Sequence, residues 1–289
     1  MCSGSGTDPR AAHRIAEGDG TVDGQGPAPE GVDTSVPNVA RMYDYYLGGK
    51  DNFAVDRAAA RKIVSMVPEL PATVRGNRDF LGRAVRDAAG SGIRQFIDLG
   101  TGLPTRDNVH EVALEASPGS RVVYVDYDPV VVSHGEALLA TAPSVRIIEA
   151  DLRRPREILD HPVVRSLIDL DEPVAVLLAA ILHFVPDSED PHGLVAQLRD
   201  AMAPGSRLIF SHGLSDPGRP EATKGSRDVY ASSSSPVSDR SRDEILRFLD
   251  GFEILPPGLV PAAGWHPGGV REDLPPGSEL IVAAVGRKP

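Results

Sequence analysis

Three aspartates and two glycines carry the first chemical signal in this chain. Asp98-Leu99-Gly100-Thr101-Gly102-Leu103-Pro104-Thr105 follows a short apolar run. Asp126 sits in Tyr124-Val125-Asp126-Tyr127-Asp128-Pro129, and Asp151 sits in Glu149-Ala150-Asp151-Leu152-Arg153. Gly100 and Gly102 let the backbone turn sharply and lie against a ligand with no Cβ in the way. An acidic residue roughly 20–30 positions beyond such glycines suits both hydroxyls of a ribose. Asp128, with Pro129 at the first helical position, accounts for the helix cap, which leaves Asp126 for the sugar. Asp151 can accept from an adenine amino group while the Leu152 amide reaches a ring nitrogen. Asp98 suits a cationic amino group. A nucleoside site follows from all these positions together.

Other nucleotides fit less well. A dinucleotide fingerprint wants a third glycine to admit a pyrophosphate at a helix N-terminus, and here Thr105 follows Pro104 in that place. Asp98 would repel the pyrophosphate. No Gly-Lys-Ser/Thr follows the glycines, so a Walker A loop is absent.

His183, in Ile181-Leu182-His183-Phe184, and His212, in Phe210-Ser211-His212, both follow apolar strands. An imidazole titrates near working pH, so these two are the candidates for acid–base work if an acceptor must lose a proton. Arg41, Lys50, Asn52, Asp56 and Arg57 cluster around a tyrosine-rich segment and could bind a carboxylate or a polar acceptor; helix-surface pairing is the plainer alternative. Trp265 and His266 could wall an acceptor site, and a buried structural tryptophan explains Trp265 equally well. The histidines are scattered, with no His-x-x-x-His pair, so no metal is expected.

The elements that must position these residues alternate. Helices are expected over Asn38–Tyr46, 56–66 and from about Ala72 to Ala89, with Pro68 and Pro71 between the last two. Apolar strands follow at 94–99, 121–126, 145–149, 174–179 and 207–211, with helices at 108–116, 130–140, 155–160, 162–167 and 190–202. A helix at 242–249, a strand at 252–255 and a last strand at 280–286 complete the run. Val- and Ile-rich strands alternating with amphipathic helices argue an α/β fold with a parallel sheet covered on both faces. The polar stretch 215–236 reads as a mobile lid or as a short helix with loops. Residues 1–34, rich in Gly, Pro and charge, read as a disordered leader.

The 289 residues carry 30 basic and 41 acidic side chains, a net charge of -11. Such acidity disfavours sequence-independent binding to a phosphate backbone, so a small molecule is the expected partner and nucleic acid is not. The single cysteine, Cys2, allows no internal disulfide and suits a reducing cytoplasm. The longest apolar run, 173–182, is too short to span a bilayer, so no membrane partner is expected.

Taken together, the pattern resembles the class I S-adenosylmethionine-dependent methyltransferases. It is most similar to the actinobacterial S-adenosyl methyltransferase family, formerly a domain of unknown function. The stretches that carry the likeness are Pro37-Asn38-Val39-Ala40-Arg41-Met42-Tyr43-Asp44-Tyr45-Tyr46-Leu47-Gly48-Gly49-Lys50-Asp51-Asn52-Phe53, the glycine loop, Val122 to Pro129, and the closing Gly286-Arg287-Lys288-Pro289. The resemblance implies a Rossmann-like sheet of seven strands, the last antiparallel, with extra N-terminal helices. It divides the chain into the leader (1–34), a helical segment capping the cofactor (35–93) and a methyltransferase domain (94–289). It implies S-adenosylmethionine as cofactor, bound by Asp98, Gly100, Thr101, Gly102, Asp126, Tyr127, Asp151 and Leu152, with the tyrosine-rich segment, Tyr45 included, folding over it. Methyl transfer to a small molecule is the function implied. A regulatory module that binds the cofactor without turnover, an atypical NAD-dependent oxidoreductase and a protein-interaction scaffold are the alternatives.

Overall fold

A strand buried along its whole length needs cover on both faces, and β1 (Gln95–Leu99) is such a strand. The computed structural model describes Met1 and residues 33–104, 107–139 and 142–289. Almost all of the expected leader, together with Cys2, Thr105 and Ala140, lies outside these residues.

Among the described residues three helices precede β1: α1 (Val39–Leu47), α2 (Ala54–Met66) and α3 (Leu70–Gly90). The Asn38 side chain caps α1 by accepting from the amides of Ala40 and Arg41, and Gly48, in the left-handed region at φ 81°, ends it. Asp56 joins α1 to α2. Its carboxylate accepts from Arg41 Nε at 2.8 Å, the Asn38 amide at 2.8 Å and the Phe53 amide at 2.8 Å. α3 begins at Leu70, earlier than expected, because Pro71 sits in the first turn, where a missing N–H costs nothing.

The alternating part continues with α4 (Val109–Ala116), β2 (Arg121–Asp126), α5 (Pro129–Leu139), β3 (Val145–Glu149), α6 (Pro155–Leu159), α7 (Pro162–Leu167), β4 (Ala175–Ala179), α8 (Pro191–Ala201) and β5 (Arg207–Gly213). The polar stretch 215–236 contains α9 (Pro220–Tyr230), started by Pro220 and Glu221 and anchored by buried Val229. α10 (Arg242–Leu246), β6 (Glu253–Ile254), β7 (Val260–Pro261), β8 (Trp265–His266), β9 (Gly269–Val270) and β10 (Ile281–Arg287) close the chain.

The sheet runs β3-β2-β1-β4-β5-β10-β6. β1 to β5 are parallel neighbours and β10 is antiparallel to β5. The expected seven positions are present, and the outermost is filled twice, since both β6 and β7 pair with β10. Pro256 and Pro257 cannot donate ladder bonds, so the expected strand at 252–255 shrinks to two residues. β8 and β9 form a separate hairpin.

Side chains alternate across the sheet. Phe96, Val122, Leu177 and Ile209 meet α3, whose inward face is Val74, Phe80, Leu81, Ala84, Val85 and Ala88. Ile97, Val123, Val176, Leu208 and Phe210 pack on the other face with Leu194 and Leu198 of α8. From β1 the chain builds outward through β2 and β3, then returns to build β4 and β5 on the other side. That reversal opens a crevice beyond the C-terminal ends of β1 and β4, where open α/β sheets take ligands.

Candidate functional site

The glycine loop leaves β1 into this crevice. Gly100 and Gly102 both adopt left-handed backbone, φ 69° and 67°. The amides of Gly100 and Thr101 donate to Val125 O at 2.8 and 3.2 Å, tying the loop to β2. A Cβ at Gly100 would meet Ile181 Cγ1 at 2.5 Å, whereas one at Gly102 would project into open space.

Asp126, at the end of β2, accepts from the Gly102 amide at 2.9 Å and from the Asp128 amide at 3.0 Å. Asp128 caps α5 by accepting from the Val130 amide at 2.8 Å, and it also takes the Asn38 amide side chain at 2.6 Å. Asp98 pairs in register with Tyr124 on the α3 face of the sheet and accepts from Thr101 Oγ1 at 3.1 Å. Burial pushes both carboxyls up, Asp98 to about 6 and Asp126 to about 6. For Asp98 the nearby Arg78 and the Thr101 hydroxyl work against that rise; for Asp126 the two backbone amides do.

The cleft around these groups is lined by Asp98, Gly100, Thr101, Gly102, Asp126 and Tyr127 from the expected set. Tyr45, Asp151 and Leu152 do not line it. Tyr43 faces the cleft instead, its hydroxyl accepting from Asn77 Nδ2 at 2.9 Å. Tyr45 packs against the core. Asp151 is chelated by Arg153 at 2.6 Å, and Leu152 is buried between the sheet and its covering helices.

A second cavity, of about 170 Å³, abuts the first. The two share Val39, Tyr43, Ala180 and Phe184. Its walls are apolar and aromatic: Tyr46, Ile63, Leu70, Val74 and Tyr230 come from α1, α2, α3 and α9, and Val67 from the turn after α2. Its rim is polar but internally paired. Arg219 bridges Asp216 at 2.8 Å and Glu69 at 3.2 Å, and Asp239 binds Arg227 and the Ser215 hydroxyl.

His183 lines this chamber and His212 lies behind it, their rings 5.3 Å apart. The Gly213 amide donates to His183 Nδ1 at 3.3 Å, which puts the ring proton on Nε2. Burial and the neighbouring His212 and Arg240 hold its pKa well below the usual imidazole range. His212 donates from Nδ1 to Gly213 O at 2.6 Å and accepts at Nε2 from Arg240 at 3.2 Å, so both of its nitrogens are committed. Burial lowers it to about 4. Arg240, itself buried, also donates to Leu182 O and Val185 O and thereby holds the loop that carries His183.

The polar cluster near the tyrosines has a structural role. Arg41 and Asp56 are a buried ion pair, and Arg57 donates to Asn52 O at 2.6 Å. Neither cavity is lined by Arg41, Lys50, Asn52, Asp56 or Arg57. Trp265 stacks edge-on against Phe80 at 5.2 Å in the core, away from both cavities. Among the described residues no cluster of three or more metal-ligating side chains occurs, and no helix is long and apolar enough to cross a membrane.

Sequence reasoning missed Asn77, Arg78, Ala180 and Phe184. Ala180 adopts φ 53° at the end of β4, a strained conformation for a residue with a Cβ, and stands between the two cavities. No sequence signal marks it.

A family model described as S-adenosyl methyltransferase matches residues 25–289. This chain belongs to the S-adenosyl methyltransferase family. Within the family's reach lies a Thermobifida fusca protein of known structure, described as a candidate methyltransferase: 43% identical, TM-score 0.83, covering 90% of this chain and 98% of that one. A DUF574 family protein from Streptomyces avermitilis is 40% identical, TM-score 0.82, with 89% and 99% covered. A Mycolicibacterium smegmatis protein named as an S-adenosyl-L-methionine-dependent methyltransferase is 31% identical over 167 residues, 55% of this chain. The match spans only 50% of that curated relative's length. Family membership implies S-adenosylmethionine as the cofactor, and the cleft suits it. Open space above Gly102 admits close approach, and the buried carboxyls suit a ligand bearing hydroxyls and an ammonium.

Proposed function

We propose that this protein transfers a methyl group from S-adenosylmethionine to a small, largely apolar acceptor. The observation that carries the reading is the abutment of two unlike cavities, a carboxylate-bearing cleft at the strand ends and an apolar chamber, across Val39, Tyr43, Ala180 and Phe184. When bound, the cofactor supplies a methyl group on a sulfonium, which leaves sulfur as positive charge is lost.

On this reading Asp126 accepts from the ribose hydroxyls, Asp98 faces the ammonium, and Gly100, Thr101 and Gly102 form the surface the cofactor lies against. The adenine lies toward the exposed ring of Tyr127, at the rim of the cleft. Asp151 and Leu152 then contribute to the adenine only if Asp151 gives up its contacts with Arg153. The N-terminal helices wall both cavities and serve as the cap over the cofactor. His183, protonated on Nε2, offers the acceptor a hydrogen bond and orients it, and His212 positions His183. Holding acceptor and methyl donor in line supplies much of the rate in such displacements.

The cleft argues against a dinucleotide. The Gly102 amide, which a pyrophosphate would need, is given to Asp126, and a carboxylate there repels phosphate. A module that only sensed the cofactor would have no use for an apolar chamber at its side.

Calorimetric titration with S-adenosylmethionine and S-adenosylhomocysteine, with NAD as control, tests the reading. Binding of both sulfur ligands and not of NAD is expected. Asp126→Ala should weaken them by about tenfold to a hundredfold, the worth of hydrogen bonds to a charged group. Failure of either sulfur ligand to bind would sink the proposal.

A further inference from the structure

We propose that Asn77 and Arg78, on α3, read the amino-acid end of the cofactor: Arg78 pairs with its α-carboxylate, and Asn77 Oδ1 accepts from its α-ammonium beside Asp98. This rests on the cofactor reading above and adds a recognition element supplied from outside the strand–helix core.

Two independent observations point to it. Asn77 is 2% exposed and its Oδ1 is buried with no hydrogen-bond partner, a state that folded proteins rarely leave uncompensated. Its Nδ2 donates to the Tyr43 hydroxyl, which leaves Oδ1 as the free end of the amide, and the residue lines the cleft. Arg78 lines the same cleft and forms no ion pair among the described residues; its one hydrogen bond is a long one, 3.5 Å, to Asp107 O. The guanidiniums of Arg41, Arg219, Arg227 and Arg240 are each committed to a carboxylate. Arg78 is therefore a cation held at the cleft without an anion.

Asp98 completes the set. Its carboxyl feels the charge of Arg78, and burial disfavours its ionised form. One cation without an ion pair among the described residues, one orphaned neutral acceptor and one buried carboxyl match the charges of an α-amino acid: carboxylate to the guanidinium, ammonium to the two acceptors. Planar guanidinium–carboxylate pairing is the geometry in which arginine outperforms lysine. The same helix presents Leu70 and Val74 to the apolar chamber, one and two turns earlier. α3 thus touches both cavities along one face.

The test is calorimetry of each variant against the unaltered protein with three probes: S-adenosylhomocysteine, which carries both groups; decarboxylated S-adenosylmethionine, a sulfonium that keeps only the ammonium; and 5′-methylthioadenosine, which has neither group. Arg78→Met should weaken S-adenosylhomocysteine by about tenfold or more, as expected for a lost charge-assisted pair, and leave the other two within about twofold. Arg78→Lys should recover part of the loss. Asn77→Ala should weaken the two ammonium-bearing probes and spare methylthioadenosine. Thermal midpoints of the variants check that each is folded. Equal weakening of all three probes by Arg78→Met, or no weakening of any, overturns the assignment while the cofactor reading stands. If the unaltered protein binds none of the three, the cofactor reading fails and this assignment falls with it.

Discussion

The cleft at the strand ends and the chamber beside it are built on opposite principles. Charge in the cleft is less fully paired: Asp98 and Asp126 are buried, their pKa values are raised, and Arg78 forms no ion pair among the described residues. Charge around the chamber is resolved within the protein, where Arg219, Arg227 and Arg240 all have carboxylate partners and Arg41–Asp56 locks the helices that form its wall. The contrast separates groups that await a ligand from groups that hold the fold. Around the chamber the buried guanidiniums have carboxylate partners, whereas at the cleft Asn77 Oδ1 is buried without a hydrogen-bond partner.

Stability measurements test this distinction most directly. Arg41→Met strands a fully buried carboxylate, so a loss of about 3–5 kcal/mol in denaturant unfolding is expected. Asp98→Asn should do the reverse. Asp98 has a folded-state pKa above its unfolded value, so its favourable contribution exists below about pH 4 and is lost as pH rises through about 6. At pH 8 the charge is a liability, and the amide should hold or raise the thermal midpoint while weakening S-adenosylhomocysteine. A destabilised Asp98→Asn would place Asp98 with the structural charges.

Within the cleft the two glycines should separate. Gly100→Ala meets both a left-handed φ and Ile181 at 2.5 Å, so strain of about 1 kcal/mol from the backbone and about 1–3 kcal/mol from overpacking is expected, with loss of cofactor binding. Gly102→Ala carries only the backbone cost in the free protein, and its Cβ intrudes on the ligand; its stability should change little while its affinity falls. Equal destabilisation by the two would mean that the open space above Gly102 is not a binding surface.

The smallest effect is in pH. Affinity for S-adenosylhomocysteine should decline as pH falls through about 6, because Asp98 and Asp126 accept the ligand's donors best when ionised. Methylthioadenosine should keep only the part due to Asp126. Arg78, Thr101, Tyr124 and the carboxyl of Asp126 face Asp98, and burial pushes the Tyr124 hydroxyl up, so it stays neutral over this range. A flat profile between pH 5 and 8 would remove both carboxylates from the binding account.

Much of the cleft was legible in the chain because its parts are local. Gly100 and Gly102 follow β1 directly, Asp126 closes β2, and Asp128 with Pro129 declares itself a cap, so each role is written within a few residues. The expectation for Asp151 came from the same rule, but Arg153 two residues on chelates it, a competition that position alone does not reveal. Of the tyrosines, Tyr43 and not Tyr45 faces the cleft; helical spacing in a nine-residue helix could not choose between them without knowing which face meets α3.

The alternation of strands and helices, the sharp loop after β1 and the carboxylates at the strand ends are readable in the chain, because periodicity, turn chemistry and capping act over a few residues. Long-range packing settled which face of α3 meets β1, that Asn77 Oδ1 has no hydrogen-bond partner and Arg78 no ion pair among the described residues, and that α9 closes an apolar chamber against α1 and α2. Those facts depend on which distant side chains find partners. Hydrogen bonds and ion pairs are satisfied in three dimensions, so an unsatisfied one becomes visible only when every neighbour is in place.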